Sequence, residues 1–275
     1  MPEMAQDPLR ILIFGAHPDD CDIKAGGTAA LYAQHGHEVQ MVSLTNGDAG
    51  HYDMGGAPLA WRRRQEAQAS AARLGVEYVI LDHHDGELTP SLSVRHEIVA
   101  LIRDYCPDLV MSPRPWDYHP DHRATGQMVT DALYMCTVPN VCPYAEHLRH
   151  MPVAAYVWDD FSKPYPFDPD VVVNIDPVIE KKLDALHCHT SQMYEWLPYN
   201  RQELDQVPET NAQCRAWLKD WYEEQFAPFT SLYKDDLAER YGEEKAARIR
   251  YVEAFEISEY GAPAGKRERE RLFPF

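Results

Sequence analysis

No stretch of the chain stays apolar for the roughly 20 residues needed to cross a bilayer. The opening MPEMAQDPLR has neither the basic region nor the apolar core of a secretory leader, so a cytoplasmic protein is expected. Paired cysteines are missing too. Cys21, Cys106, Cys136, Cys142, Cys188 and Cys214 form no C-x-x-C pair, which argues for reduced thiols and against a disulfide framework or sulfur-ligated metal. Positive charge is scarce, with 26 Lys and Arg against 44 Asp and Glu and a formal charge of -18. Such a chain repels phosphate backbones and anionic lipid surfaces. The one dense basic stretch, KRERERLFPF at the C-terminus, is diluted by Glu268 and Glu270. Neither nucleic acid nor membrane is expected as a partner.

What is present is a globular pattern, 45% apolar over 275 residues, enough for one large domain or a domain with an appended lobe. Four β-rich runs, at 10–16, 37–45, 77–82 and 108–113, alternate with helix-like segments at 25–35, 59–74, 92–105 and 122–136. Gly36 and Gly75 stand where the first two helices should stop. Strands alternating with helices of this length imply right-handed crossovers and a Rossmann-like, three-layer α/β fold with a mostly parallel sheet. Further strands are expected at 153–158 and 170–176, a helix opening at Pro177, a loop over 192–210, helices near 210–225 and 234–249, and a last strand at YVEAFEI. The chain reads as a single domain over 1–275, with a core at about 10–195 and a C-terminal elaboration at about 196–275.

In open parallel sheets, ligands bind beyond the carboxyl ends of the strands where strand order reverses. With an order 3-2-1-4-5, that point lies between the first and fourth strands. HPDD at 17–20 leaves the first strand and HPDH at 119–122 follows the fourth, so two H-P-D-x tetrapeptides converge on one crevice. His17 and Asp20 from one loop and His122 from the other supply two imidazoles and a carboxylate, the donor set of a catalytic zinc site with a position left open. Asp19 is then left over, and a spare carboxylate beside a metal site suits a general base. A lone HPDD can also be only a helix N-cap. A dinucleotide site is disfavoured, because the loop lacks G-x-G-x-x-G spacing and puts carboxylates where a pyrophosphate would lie.

AHPDD, GGT at 26–28, LAWRRRQEA at 59–67, DGEL at 85–88, HPDH and ALHCHTSQ at 185–192 together resemble the LmbE-like, or PIG-L-like, zinc-dependent de-N-acetylases. The resemblance covers about residues 10–195. It implies an amidohydrolase that removes acetyl groups from N-acetylglucosamine-type sugars or their conjugates, with Zn2+ or another divalent ion as cofactor. It assigns His17, Asp20 and His122 to the metal, Asp19 to the general base and His119 to the oxyanion or the leaving amine. By the same resemblance Asp121 orients a neighbouring histidine, and Arg63 and His189 reach the substrate. Arg63 could instead form an i,i+3 pair with Glu66 on a solvated helix face, and His189 could be a structural cap. Cys21 stands where many members carry Glu.

Tyr52, Trp61, Trp116 and Tyr118 lie in or beside the crevice loops and could stack on sugar faces. The glycine-rich segment GDAGHYDMGGAP looks like a mobile flap. Two other readings stay open: hydrolysis of a different amide, in an acylated natural product or a thiol conjugate, and a non-catalytic sugar-binding protein. The oligomeric state, a homo-oligomer included, is not legible.

Overall fold

The computed structural model describes residues 7–275; Met1–Gln6, part of the opening read above as leaderless, lie outside the described residues. The elements run β1 (Arg10–Gly15), α1 (Asp20–Gln34), β2 (Glu38–Thr45), α2 (Ala57–Leu74), β3 (Glu77–His83), α3 (Leu92–Tyr105), β4 (Leu109–Ser112) and α4 (Pro120–Met135). The second half continues with β5 (Val153–Val157), β6 (Val171–Asn174), α5 (Ile179–Cys188), α6 (Leu197–Asn200), α7 (Asn211–Thr230), α8 (Lys234–Tyr241), α9 (Glu243–Ala246), β7 (Val252–Ile257) and α10 (Lys266–Leu272).

The seven strands form one sheet in the order β3-β2-β1-β4-β5-β7-β6. The first five are parallel and stand in the expected order, so strand order reverses between β1 and β4. β7 then returns antiparallel to both β5 and β6. The last strand therefore wedges into the sheet between two earlier ones.

β1 is apolar throughout because both of its faces are covered. Ile11 and Ile13 enter the core shared with α1, α2 and α5, whereas Leu12 and Phe14 enter the one shared with α3 and α4. Helix starts differ from the expectation. α1 begins at Asp20 and α4 at Pro120, so HPDD is the loop into α1 with Asp19 at its N-cap, whereas HPDH has its N-cap at His119 and its other three residues in the first turn of α4. The segment 192–210, expected as a loop, is partly helical, with a wide π-type turn at Ser191–Trp196 running into α6.

α1 carries an insertion that explains GGT. The Gly27 N–H donates to Glu253 Oε1 at 2.8 Å, and Thr28 N–H to the same carboxylate. Lys182 Nζ bonds both Ile23 O and Glu253 Oε1. A buried ion pair thus bonds the Ile23 carbonyl and the Gly27 N–H within the continuous helix α1. A β-carbon on Gly27 would lie 2.8 Å from Ile175 Cγ2, so only glycine admits this approach.

Candidate active site

The strand-exit loop after β1 is pinned from two sides. Ala16 O accepts the Thr45 N–H and the hydroxyls of Ser43 and Thr45. Asp20 folds back so that Oδ2 accepts the N–H groups of Ala16 and His17, each at 2.9 Å. That fold needs glycine at 15, where a β-carbon would stand 2.7 Å from Asp20 Cβ. Asp20 is therefore held from its own loop, with its carboxylate turned towards the crevice.

Three donor atoms then meet across the switch point. His17 Nδ1 lies 3.5 Å from Asp20 Oδ2, His122 Nε2 lies 3.4 Å from the same oxygen, and the two nitrogens are 3.2 Å apart. Ligands at 2.0–2.2 Å from a tetrahedral ion stand about 3.3–3.6 Å from one another. The triangle thus has the edges that a divalent ion requires, and the donor set fits one.

The remaining ring nitrogens support the same reading. His17 Nε2 faces Asp85 Oδ1 at 3.1 Å and Asp121 Oδ2 at 3.3 Å, while His122 Nδ1 faces Asp117 Oδ1 at 3.0 Å. Carboxylates on the far nitrogens hold imidazoles in the tautomer whose other nitrogen is free to ligate. Asp121, fully buried, also accepts the N–H groups of Gly86 and Leu88, which is how DGEL and HPDH come to be one structure. Asp85 and Asp117 carry no role in the sequence reading. Asp85 opens DGEL and Asp117 stands two residues before HPDH, and only the fold shows that they touch the two histidines.

Asp19, Asp20, Asp85, Asp117 and Asp121 together make this a strongly negative pocket. Burial opposes a charged imidazole at His17, but hydrogen bonds to Asp121, Asp20 and Asp85 outweigh it and lift its pKa well above the usual value. His122 is raised to about 9, against burial, chiefly by Asp20 and Asp117. Burial pushes the Asp20 carboxyl up, yet His122 and His17 hold it well below its ordinary range.

Asp19 is buried and differs from its neighbour. Its Oδ1 accepts from Arg63 Nη2 at 2.9 Å. Burial raises its pKa although Arg63 pulls the other way. His119 caps α4, its Nδ1 accepting the Asp121 N–H at 3.3 Å. In the neutral ring that leaves the proton on Nε2. Its ring lies 4.6 Å from that of His17 and 5.0 Å from that of His122, and burial beside those two histidines lowers its pKa.

Two residues expected at the substrate lie deeper than the mouth of the crevice. Arg63 is only 2% exposed, and its guanidinium is engaged by Asp19, by Gly47 O and by Asp85. It stands behind Asp19 rather than in the mouth, and Glu66 pairs with Arg62 instead. His189 has no exposed surface and lies against Asp22, 3.2 Å away, below the site. The glycine-rich segment, expected as a mobile flap, is tied by Gln192 Nε2 to Gly50 O and by His51 to Glu195. Tyr52, Trp61, Trp116 and Tyr118 all expose their rings, and Tyr118 lies 5.8 Å from both His119 and His122.

The family model described as GlcNAc-PI de-N-acetylase, PIG-L, matches residues 12–133. A diacetylchitobiose deacetylase of Thermococcus kodakarensis is 35% identical over 210 residues, 72% of this chain and 78% of that protein. A 4-oxalmesaconate hydratase of Pseudomonas putida is 26% identical over 201 residues, 70% of this chain and 78% of that one. The solved N,N'-diacetylchitobiose deacetylase from Pyrococcus horikoshii superposes with a TM-score of 0.71 at 27% identity, covering 92% of this chain and 85% of that one. The motifs, the order of the sheet and these likenesses agree: the chain belongs to the PIG-L, or LmbE-like, de-N-acetylase family and is an amidohydrolase.

Proposed function

We propose that this enzyme removes the acetyl group from an N-acetylglucosamine-type amino sugar or its conjugate, with zinc held by His17, Asp20 and His122. The observation that carries the reading is the triangle of two imidazoles and one carboxylate with Asp19 buried beside it. A divalent ion bound there supplies Lewis acidity towards the amide carbonyl and acidifies water. Asp19 takes up the water proton at Oδ2, since Oδ1 is held by Arg63. The His119 Nε2–H donates to the developing oxyanion. The names of the deacetylase relatives support an acetylated amino sugar as substrate, and the exposed rings of Tyr52, Trp116 and Tyr118 suit stacking on a pyranose. The six unpaired cysteines fit a reducing cytoplasm.

The test is acetate release from N,N'-diacetylchitobiose and from N-acetylglucosamine conjugates by zinc-loaded protein, with N-acetylated amino acids as controls. We expect the sugars to be turned over with the higher kcat/KM. Faster release from the amino acids would favour a general amidohydrolase. Zinc-bound protein that releases no acetate but hydrates 4-oxalmesaconate would overturn the reading in favour of the activity named for the hydratase relative.

A further inference from the structure

β4 and β5 are paired strands, and two residues beyond their ends stand Arg114 and Asp159. Arg114 is fully buried and grips Asp159 as a fork, Nε donating to Oδ2 at 2.7 Å and Nη2 to Oδ1. Together the two side chains hold the Phe161 backbone on both sides. Asp159 Oδ1 accepts the Phe161 N–H and Arg114 Nη2 donates to Phe161 O, each at 3.0 Å. Arg114 Nη1 also donates to Tyr165 O at 3.1 Å, and the guanidinium lies 5.1 Å from the centre of the Tyr165 ring. The Phe161 ring reaches that of Tyr118, 6.3 Å away between centres, and Tyr118, 74% exposed, stands 5.8 Å from both His119 and His122. The Arg114 backbone is fixed too. A β-carbon on Gly126 would lie 2.8 Å from Arg114 O, so α4, which carries His122, rests directly on it.

We infer that Arg114 is a positioning residue for the substrate: through Asp159 and Phe161 it sets the Tyr118 ring as the platform on which the amino-sugar ring rests beside the metal triangle. The inference rests on the amino-sugar reading above and names what fixes the grip on that sugar. The backbone at Tyr118 is held, because Asp117 O and Tyr118 O both accept from Arg123 Nη1. A side chain so exposed still turns between rotamers unless a neighbour blocks it. Phe161 is that neighbour. At 6.3 Å the two rings touch and leave no slot between them, so the sugar takes the open face of Tyr118, against which the C–H face of a pyranose packs. A buried ion pair adds little net stability over an apolar filling of the same volume, whereas the planar guanidinium fork fixes direction as well as distance. What this pair supplies is the position of the loop that carries Phe161.

The experiment measures KM and kcat for acetate release from N,N'-diacetylchitobiose by zinc-loaded wild type, Phe161→Ala and Arg114→Lys, and repeats both substitutions in a Tyr118→Ala background. Lysine keeps the charge of Arg114 and lacks its fork. Stacking holds ground state and transition state alike, so its loss is read in KM. Phe161→Ala and Arg114→Lys should each raise KM about three- to tenfold with kcat within about twofold of the wild type. Neither should raise KM further once Tyr118 is alanine, because both act through that ring. A merely structural role would instead lower the fraction of active enzyme, and with it kcat, equally in both backgrounds. Should Arg114→Lys fail to fold, Arg114→Met combined with Asp159→Leu removes the pair without stranding a buried charge and is expected to raise KM likewise. Acetate release with KM unchanged in Phe161→Ala and in the Arg114 variant, or with KM raised equally in the Tyr118→Ala background, overturns this inference and leaves the deacetylase reading standing. Wild type that releases no acetate from the sugar overturns the amino-sugar reading, and this inference with it.

Discussion

Asp19 and Asp20 are adjacent in the chain and occupy different environments. Asp20 accepts two N–H groups of its own loop and faces two imidazoles, whereas Asp19 is bound by one guanidinium on one oxygen. Asp19→Asn keeps an oxygen for Arg63 and removes the base, so zinc content should stay near that of the wild type while kcat falls by roughly 10²–10⁴. Asp20→Asn replaces an anionic ligand with a neutral one and should lose metal first. Zinc stoichiometry and kcat measured on both variants check the pair, and the opposite pattern exchanges the two roles. Asp117→Asn removes the carboxylate that faces His122 Nδ1. Zinc affinity should fall about 10–100-fold, read by competition with a chromogenic chelator.

At the scale of elements, the glycine-rich segment is positioned by α2 and by the turn after α5. Glu195 bonds His51 Nε2 and Arg62 Nη1, each at 2.8 Å. Burial raises the Glu195 carboxyl, but Arg62 and His51 outweigh it and hold its pKa below the ordinary 4.5. A carboxyl lowered on folding stabilises the folded form fully above that ordinary value and loses its contribution as the pH falls through the lower folded value. Hydrogen exchange of residues 46–56 should therefore quicken as the pH drops below 4.5 in the wild type, once the intrinsic pH dependence is removed, and Glu195→Gln should show fast exchange at every pH. Nearby, Glu66 accepts from Thr190 Oγ1, Ser191 N and Ser191 Oγ, so the LAWRRRQEA and ALHCHTSQ stretches are two halves of one buried contact. α1 depends on its glycine in a similar way. Gly27→Ala should cost about 1–3 kcal/mol by forcing Ile175 and Glu253 apart, measured by denaturant unfolding.

Across the whole molecule, the candidate ligands come from the loop that leads into α1 and from the first turns of α1 and α4, so a bound ion would tie the two halves of the parallel sheet together at its switch point. An ion that binds only the folded chain stabilises it by mass action, about 2.7 kcal/mol at a free concentration one hundred times Kd. Zinc added to chelator-treated protein should raise the melting temperature, and His17→Ala and His122→Ala should abolish that response. A full response in both variants would remove these residues from the metal site.

Much of this was legible in the sequence because the relevant physics is local. Apolar runs buried on both faces mark the parallel strands, glycine stops mark the ends of the first two crossover helices, and the two H-P-D-x stretches sit at strand exits where an α/β sheet places its chemistry. The wedged position of β7, the depth of Arg63 and His189 and the contacts of Asp85 and Asp117 were not legible. Each depends on which distant segments pack together: Glu253 reaches α1 only because β7 returns between β5 and β6. Arg63 is buried because α2 lays it across Asp19, and Asp85 meets His17 because the loop after β3 closes over Asp121. A sequence states which side chains are available for metal and proton chemistry. Which of them are desolvated and within bonding distance is decided by tertiary packing, because burial and proximity belong to the folded chain.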